Sequence, residues 1–272
     1  MKPPVPYFGG KIQLAPWLVS LMPAHDHYVE PFAGSLAVMF AKPPSRMETV
    51  NDLDAELVTF WRVLRDRYDD FARAVTLTPH SRAEHIAAYG TASPGDDLER
   101  ARRVWVRLTQ GRSARLDKTG WRFQIKAGSS PMPVYLDGYR GRLAAAAARL
   151  AAVTLECRPA LDVIEAYGAN PDALLYVDPP YLDETRNGHG YRVEMPDEDA
   201  HRALAAALRR CRAPVMLSGY DSPLYAELYE GWHRYALATR TGNAAEGNGA
   251  RTEVVWANRP LVAQAELFEV PA

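Results

Sequence analysis

Apolar runs of strand length alternate along the chain with longer stretches whose apolar positions recur every three to four residues. The strand candidates are His27–Glu30, Met47–Val50, Val153–Cys157, Ala173–Val177 and Val215–Ser218. His233–Thr239 and Glu253–Asn258 follow as a closing hairpin across a Gly- and Asn-rich loop from Thr241 to Arg251. Helical spacing joins Ile12, Leu14, Trp17, Leu18 and Leu21 before Pro23, runs through Val38, Met39 and Phe40, and links Leu57, Phe60, Trp61 and Leu64 within Leu53 to Arg67. A further helix opens at Pro196, Asp197 and Glu198 and closes at Arg209, Arg210 and Arg212, with charges that suit its dipole. This alternation predicts an α/β fold.

The alternation breaks between residues 68 and 149. Helical segments there span Tyr68 to Val75 and Leu98 to Leu108, separated by the Gly-, Pro- and Ser-containing stretch Gly90 to Gly95, and an alanine-rich helix from Arg142 to Ala152 leads back to the sheet. The organisation expected is therefore a main unit of residues 1–67 and 150–272 with residues 68–149 inserted. Charge sharpens this picture. The chain sums to −1, yet from Leu98 to Arg149 twelve Lys and Arg face three acids, so the segment carries +9 and the remainder −10. Such a basic middle reads either as a phosphate-binding face or as a solvated helix surface. Within it, Gln110 to Lys126 interleaves basic residues with aromatics and glycines, the composition of a hairpin or loop lying on nucleic acid. Arg112, Arg115, Lys118, Trp121, Arg122 and Lys126 are the candidate DNA contacts. Trp121 alternatively anchors the hairpin in a core.

Chemistry concentrates at Asp178-Pro179-Pro180-Tyr181, directly after the apolar run Ala173–Val177. Neither proline can donate to a sheet ladder, so the chain leaves the sheet there. This places a carboxylate, stiffened carbonyls and a ring at the carboxyl end of a central strand, where open α/β sheets bind ligands. The cluster suits an amine conjugated to a purine ring, a poor nucleophile because its lone pair is delocalised. A carboxylate accepting one N–H and a proline-fixed carbonyl accepting the other favour a pyramidal nitrogen, and Tyr181 can stack on a base turned out of its duplex. The plain alternative is a strand ending in a Pro-Pro turn with a capping Asp.

Other strand ends add to this site. Tyr7-Phe8-Gly9-Gly10-Lys11 brings glycines that allow close backbone approach. Glu30 ends the first strand and can face a cationic or hydroxyl-bearing ligand, and Pro31-Phe32-Ala33-Gly34-Ser35 turns into the next helix. Asp52 follows the second strand, where an acid commonly binds ribose hydroxyls or caps a helix. Asp162 follows the third. Residues 182–192 read as a loop that orders on substrate. The absence of GxGxxG argues against a dinucleotide enzyme, and seven scattered histidines and two unpaired cysteines give no metal pattern. No apolar run of about 18 residues and no signal-peptide core occur, so a cytoplasmic protein is expected.

Taken in this order, the motifs resemble those of the Dam-like, alpha-class (D12) DNA adenine-N6 methyltransferases over nearly the full length. Tyr7–Lys11 is similar to the family's amino-terminal cofactor motif, Glu30–Ser35 to its glycine motif, Asp52 to its ribose-binding acid and Asp162 to its contact with the cofactor adenine. Asp178-Pro179-Pro180-Tyr181 is identical to its catalytic motif. The resemblance implies a Rossmann-like seven-stranded mixed sheet with helices on both faces, plus a mainly helical target-recognition insert with a basic hairpin. It further implies S-adenosylmethionine as methyl donor, S-adenosylhomocysteine as product, and N6 of a flipped-out adenine in double-stranded DNA as acceptor, with Asp178, Pro179, Pro180 and Tyr181 catalytic. Two departures stand out. Leu36 occupies a position where many relatives carry glycine, and Gly120–Ile125 follows only loosely the hairpin of members that read GATC. Expected partners are duplex DNA and a cognate restriction endonuclease, with no metal or membrane, for a monomer or weak dimer. Rival readings are cytosine-N4 transfer, whose enzymes more often carry Ser at the Asp178 position, glutamine methylation of release factors, whose enzymes carry Asn-Pro-Pro-Tyr, and a DNA-binding relative that has lost activity.

Overall fold

The computed structural model describes residues 1–90, 95–124, 128–181, 195, 197–240 and 250–261. Lys126, the loop at 182–192, Pro196 and most of the loop at 241–251 lie outside the described residues.

Among the described residues, seven strands form one sheet, as the resemblance implied: β1 (His27–Glu30), β2 (Met47–Asn51), β3 (Thr154–Glu156), β4 (Ala173–Val177), β5 (Val215–Tyr220), β6 (His233–Arg240) and β7 (Ala250–Ala257). Their order is β3-β2-β1-β4-β5-β7-β6. The first five are mutually parallel, and β7 runs antiparallel between β5 and β6. From β1 the chain moves outward to β2 and β3, then returns to β4 and proceeds the other way. The order therefore reverses between β1 and β4, and a crevice opens at their carboxyl ends. Every residue of β1 and β4 is buried. That is why their sequences are continuously apolar or internally paired rather than alternating.

Period-two geometry sends successive side chains to opposite faces. Tyr28, Leu174, Tyr176, Met216 and Val255 point into one core with α1 (Ala15–Ser20), α2 (Ala37–Ala41) and α3 (Ala55–Asp66). Val29, Leu175, Val177, Leu217 and Trp256 point into the other, against α9 (Ala160–Gly168), α10 (Glu198–Arg209) and α11 (Pro223–Leu228).

Among the described residues, the stretch between β2 and β3 that follows α3 forms α4 (Tyr68–Leu77), α5 (Arg82–Ala87), α6 (Asp97–Gln110), a 3-10 turn (Arg112–Ala114), α7 (Met132–Arg140) and α8 (Leu143–Leu150). Phe71, Val104, Trp105 and Leu108 share one continuous core with Phe60, Trp61 and Leu64 of α3 and with Tyr28 of the sheet. The insert is thus built onto one face of the sheet, with Phe71 edge-on to Phe60 at 5.5 Å. Its charge is partly spent there. Arg102 bonds Glu84 and Glu99, Arg103 bonds Glu99, Arg107 bonds Glu56 and Arg149 bonds Glu48. The +9 of the sequence overstates the positive charge offered to solvent. Among the described residues no helix is long and apolar enough to cross a membrane.

Candidate active site

A cleft of about 270 Å³ opens at the reversal point, and it is lined by residues 7–11, 30–35 and Asp52 together with Asp178 and Pro180. Separate stretches of sequence reach it for local reasons. Gly10 closes a turn by donating its N–H to the Tyr7 carbonyl at 3.1 Å, and a Cβ there would stand 3.0 Å from that oxygen and 3.1 Å from Ser35 Oγ. Gly34 sits at φ +48°, where a Cβ would meet the Tyr7 ring at 3.2 Å. Its N–H donates to Asp52 Oδ2 at 3.0 Å, and Asp52 Oδ1 accepts from Asp54 N–H at 2.9 Å. Leu36, in place of the glycine common in relatives, also adopts the left-handed region at φ 57° and is fully buried. Packing holds it there against a left-handed cost of roughly 1 kcal/mol.

Asn51 ties the strand ends together. Its Nδ2 donates to the carbonyls of Pro31 and Arg158 at 2.9 and 3.0 Å, and its Oδ1 accepts from the Arg158 N–H at 3.0 Å. Asp54 caps α3 by accepting from Glu56 and Leu57 N–H. Sequence reading passed over both, although an Asp directly before a helical apolar pattern is a capping signal.

Burial sets the electrostatics. Glu30 is 3% exposed, and desolvation lifts its pKa to about 8 although it accepts a hydrogen bond from Tyr28 Oη at 2.9 Å. Desolvation lifts Asp52 to about 6 against three backbone donors, Asp54, Gly34 and Leu53. Both carboxylates line the cleft, where a cationic or hydroxyl-bearing ligand would meet them.

Asp178 enters the cleft directly after β4, and Lys11 meets it from the amino-terminal loop with Nζ 3.0 Å from Oδ1. The carboxylate is 17% exposed and remains part of the cleft wall despite this ion pair. Tyr181 is placed otherwise than expected. It does not line the cleft. It is 8% exposed, with the Lys11 ammonium 4.6 Å over its ring and Tyr220 edge-on at 4.6 Å. Its hydroxyl lies 3.1 Å from Asp178 Oδ1 and 2.7 Å from Glu253 Oε1. The open ring face needed for stacking on a base is covered in this arrangement, and Glu253 is a member of the cluster that sequence reading missed. Pro179, between the lining residues Asp178 and Pro180, is buried.

Asp162 is the other displaced expectation. The short β3 ends at Glu156, and Pro159 leads into α9, so Asp162 falls in that helix's first turn and is exposed. Pro159, Ala160 and Leu161 line the cleft in its place.

The expected hairpin exists beside the site. Arg112 N–H donates to the Gly120 carbonyl at 2.8 Å and Arg122 N–H to the Gln110 carbonyl at 2.7 Å, with Gly111 bridged to Trp121. Trp121 stacks on His80 at 4.4 Å and on the exposed Phe123 at 5.6 Å, with Arg82 at 4.7 Å over the Trp121 ring and Arg112 at 5.5 Å over Phe123. Arg112 and Lys118 are exposed, whereas Arg115 pairs with Asp117 and Arg122 lies over Tyr135. Phe8 N–H donates to the Ala114 carbonyl at 2.9 Å, which joins the hairpin base to the cleft loop.

The residues present fit S-adenosylmethionine: a buried Glu30 and a half-buried Asp52 for its positive charges and hydroxyls, and two glycine turns, packed tightly on Tyr7 and Ser35, that bring backbone to the cleft wall. Comparison with known proteins agrees. The family model described as D12 class N6 adenine-specific DNA methyltransferase matches residues 7–102 and 133–242, leaving the hairpin between the matched stretches. The Type II methyltransferase M1.LlaDCHI of Lactococcus lactis subsp. cremoris is 26% identical over 95% of this chain and 95% of its own length. The retron Ec67 DNA adenine methylase of Escherichia coli is 25% identical over 91% of this chain and 88% of its own. Among solved structures, a SAM-dependent methyltransferase from Agrobacterium tumefaciens gives a TM-score of 0.40 at 12% identity, with 92% of this chain and 62% of that chain covered.

Proposed function

Because the chain belongs to the D12 class N6 adenine-specific DNA methyltransferases, we propose that its cleft holds methyl donor and target adenine together and that Asp178 is the residue where the two meet. The observation carrying this reading is that the Asp178 carboxylate, at the mouth of β4, lines the same cleft as Glu30, Asp52 and the two glycine turns.

S-adenosylmethionine, when bound, supplies a methyl group activated by a positively charged sulfur. Glu30 faces the cationic part of that ligand, Asp52 the ribose hydroxyls, and the Gly10 and Gly34 turns let backbone approach it. Asp178 accepts one N–H of the adenine amine and the Pro179 carbonyl the other, which localises the nitrogen lone pair for in-line attack. Lys11, 3.0 Å from Oδ1, holds the Asp178 carboxylate in place. Stacking of the base on Tyr181 requires the Lys11 ammonium to leave that ring. Catalysis then rests on proximity and preorganised charge, without a covalent enzyme intermediate. Residues 68–149 carry DNA recognition, with Arg112, Lys118 and the Trp121–Phe123 stack presented beside the cleft.

Tritium transfer from labelled cofactor to duplex DNA tests the central role. Asp178→Ala is expected to abolish transfer while cofactor affinity stays within roughly tenfold, since the donor contacts lie on other strands. Retained turnover would refute the assignment.

A further inference from the structure

Glu253 lies on β7, in register with Tyr220 of β5 and Leu237 of β6. It is buried. Tyr181 donates to its Oε1 at 2.7 Å, and Lys11 Nζ stands 3.6 Å from the same oxygen. Asp178 reaches it through the Tyr181 hydroxyl, and Tyr176, hydrogen-bonded to Ser218, is a further titratable neighbour. Burial pushes the Glu253 pKa up, Lys11 opposes this and Asp178 adds to it.

A phenol has a single O–H, so Tyr181 cannot donate to both carboxylates at once. The shorter contact, to Glu253, takes the hydrogen. With both acids ionised, the remaining 3.1 Å contact sets lone pairs of Tyr181 Oη and Asp178 Oδ1 against each other, tolerated because the Lys11 ammonium sits 3.0 Å from Oδ1. A proton arriving on Asp178 would convert that contact into a hydrogen bond. Methylation delivers one at this place, because the amine starts with two hydrogens and ends with one.

We propose that Glu253 is a positioning residue that terminates a proton relay running from the adenine amine through Asp178 and the Tyr181 hydroxyl. The proposal rests on the assignment of Asp178 above. As the nitrogen lone pair becomes the new N–C bond, the donor's S–C pair stays on sulfur. The electron pair of one N–H bond returns to nitrogen, and its proton passes to Asp178 Oδ1. Asp178 gives a proton to Tyr181 Oη while the phenolic proton moves to Glu253 Oε1. Asp178 and Tyr181 are then restored, and Glu253 holds the proton until products leave.

Single-turnover methylation of duplex DNA, followed against pH in H2O and D2O, tests this with Glu253→Gln, Tyr181→Phe and the double variant. Each single change is expected to slow methyl transfer on the order of 100-fold, with cofactor affinity unchanged. The solvent isotope effect should fall and the low-pH limb of the rate profile, where Glu253 fills with its proton, should disappear. The double variant should be no slower than either single, since both cut one path. Infrared spectra of the free enzyme supply a readout apart from turnover: a buried carboxyl that titrates with pH and vanishes in Glu253→Gln. A Glu253→Gln enzyme with the parent rate and pH profile overturns the relay, as do losses that multiply in the double variant or a Glu253 that stays protonated at working pH. Should Glu253→Gln fail to fold, Tyr181→Phe decides, and its retention of the full rate and isotope effect overturns the proposal. Activity in Asp178→Ala would instead overturn the underlying assignment, so the two failures are distinct.

Discussion

Glu30→Gln should make the free protein more stable and a worse enzyme. Glu30 sits at the end of β1, 3% exposed, with a pKa raised from 4.5 to about 8 by desolvation. The fold therefore prefers its protonated form. The stability this contributes is complete below pH 4.5 and is lost as pH rises through about 8. Each pH unit inside that window costs about 1.4 kcal/mol, which flattens as the folded-state pKa is approached, so about 2 kcal/mol disappears between pH 6 and pH 8. Glutamine keeps an acceptor for the Tyr28 hydroxyl and carries no proton to lose. Urea unfolding of the cofactor-free proteins at both pH values measures the difference. The variant should gain on the parent by about 2 kcal/mol between the two conditions, while losing affinity for the cationic cofactor. A stability difference that does not change with pH would refute the reasoning, because it would mean that Glu30 pays no ionisation penalty in the fold.

Other expectations concern separate parts of the molecule. Gly34→Ala forces a left-handed Cβ against the Tyr7 ring, 3.2 Å away, and should weaken cofactor binding by about 1–2 kcal/mol in equilibrium titration. Arg112→Ala should weaken binding to DNA of any sequence and lower the slope of log K against log salt by about 1, as expected for a phosphate contact. An unchanged slope would remove Arg112 from the DNA face. Trp105→Ala should destabilise the whole molecule by about 3–5 kcal/mol in urea unfolding, because Trp105 is fully buried in the core that insert and sheet share. If the insert unfolded by itself in that variant, the shared-core description would fail.

Much of the site could be read from the chain because its signals are local. A buried strand that meets Asp-Pro-Pro must stop, and a strand followed by Gly34 must turn, wherever the rest of the molecule lies. The seven strands were legible for the same reason. What escaped depends on partners distant in sequence. Glu253 reads as the first residue of an ordinary strand, and its place beside Tyr181 comes from β7 inserting antiparallel next to β5. Tyr181 looked open because nothing near it predicts that Lys11 arrives from the other end of the chain. The basic segment looked more open than it is because Glu48, Glu56 and Glu84, which pair with Arg149, Arg107 and Arg102, lie outside the charged run. Asp162 shows how small an offset suffices: Pro159 starts a helix, and the helical path carries the acid out of the cleft. Arg82 and His80, which build the platform under Trp121, gave no functional signal, although Ser81 with Glu84 three residues on marks the start of α5.

The cleft's charge balance ties cofactor and chemistry together. Glu30, Asp52, Asp178 and Glu253 converge on one end of the sheet, and Lys11 offsets Asp178 and Glu253. With Glu30 at about 8, its carboxyl is largely protonated at pH 7. A ligand with a fixed positive charge favours the ionised form, so binding should expel that proton. S-adenosylmethionine and its product share ribose, adenine and amino group, and they differ in the charge on sulfur. Their own titrations then cancel in a comparison. Calorimetry at pH 7 in buffers of different ionisation enthalpy should show close to one more proton released with the sulfonium than with the thioether, and the difference should vanish in Glu30→Gln. Equal release from the parent protein would mean that the carboxylate ignores the charge on sulfur. Unequal release means that transfer, by removing that charge, lets Glu30 regain its proton and loosens the product, so the site binds its reactant more tightly than what it makes.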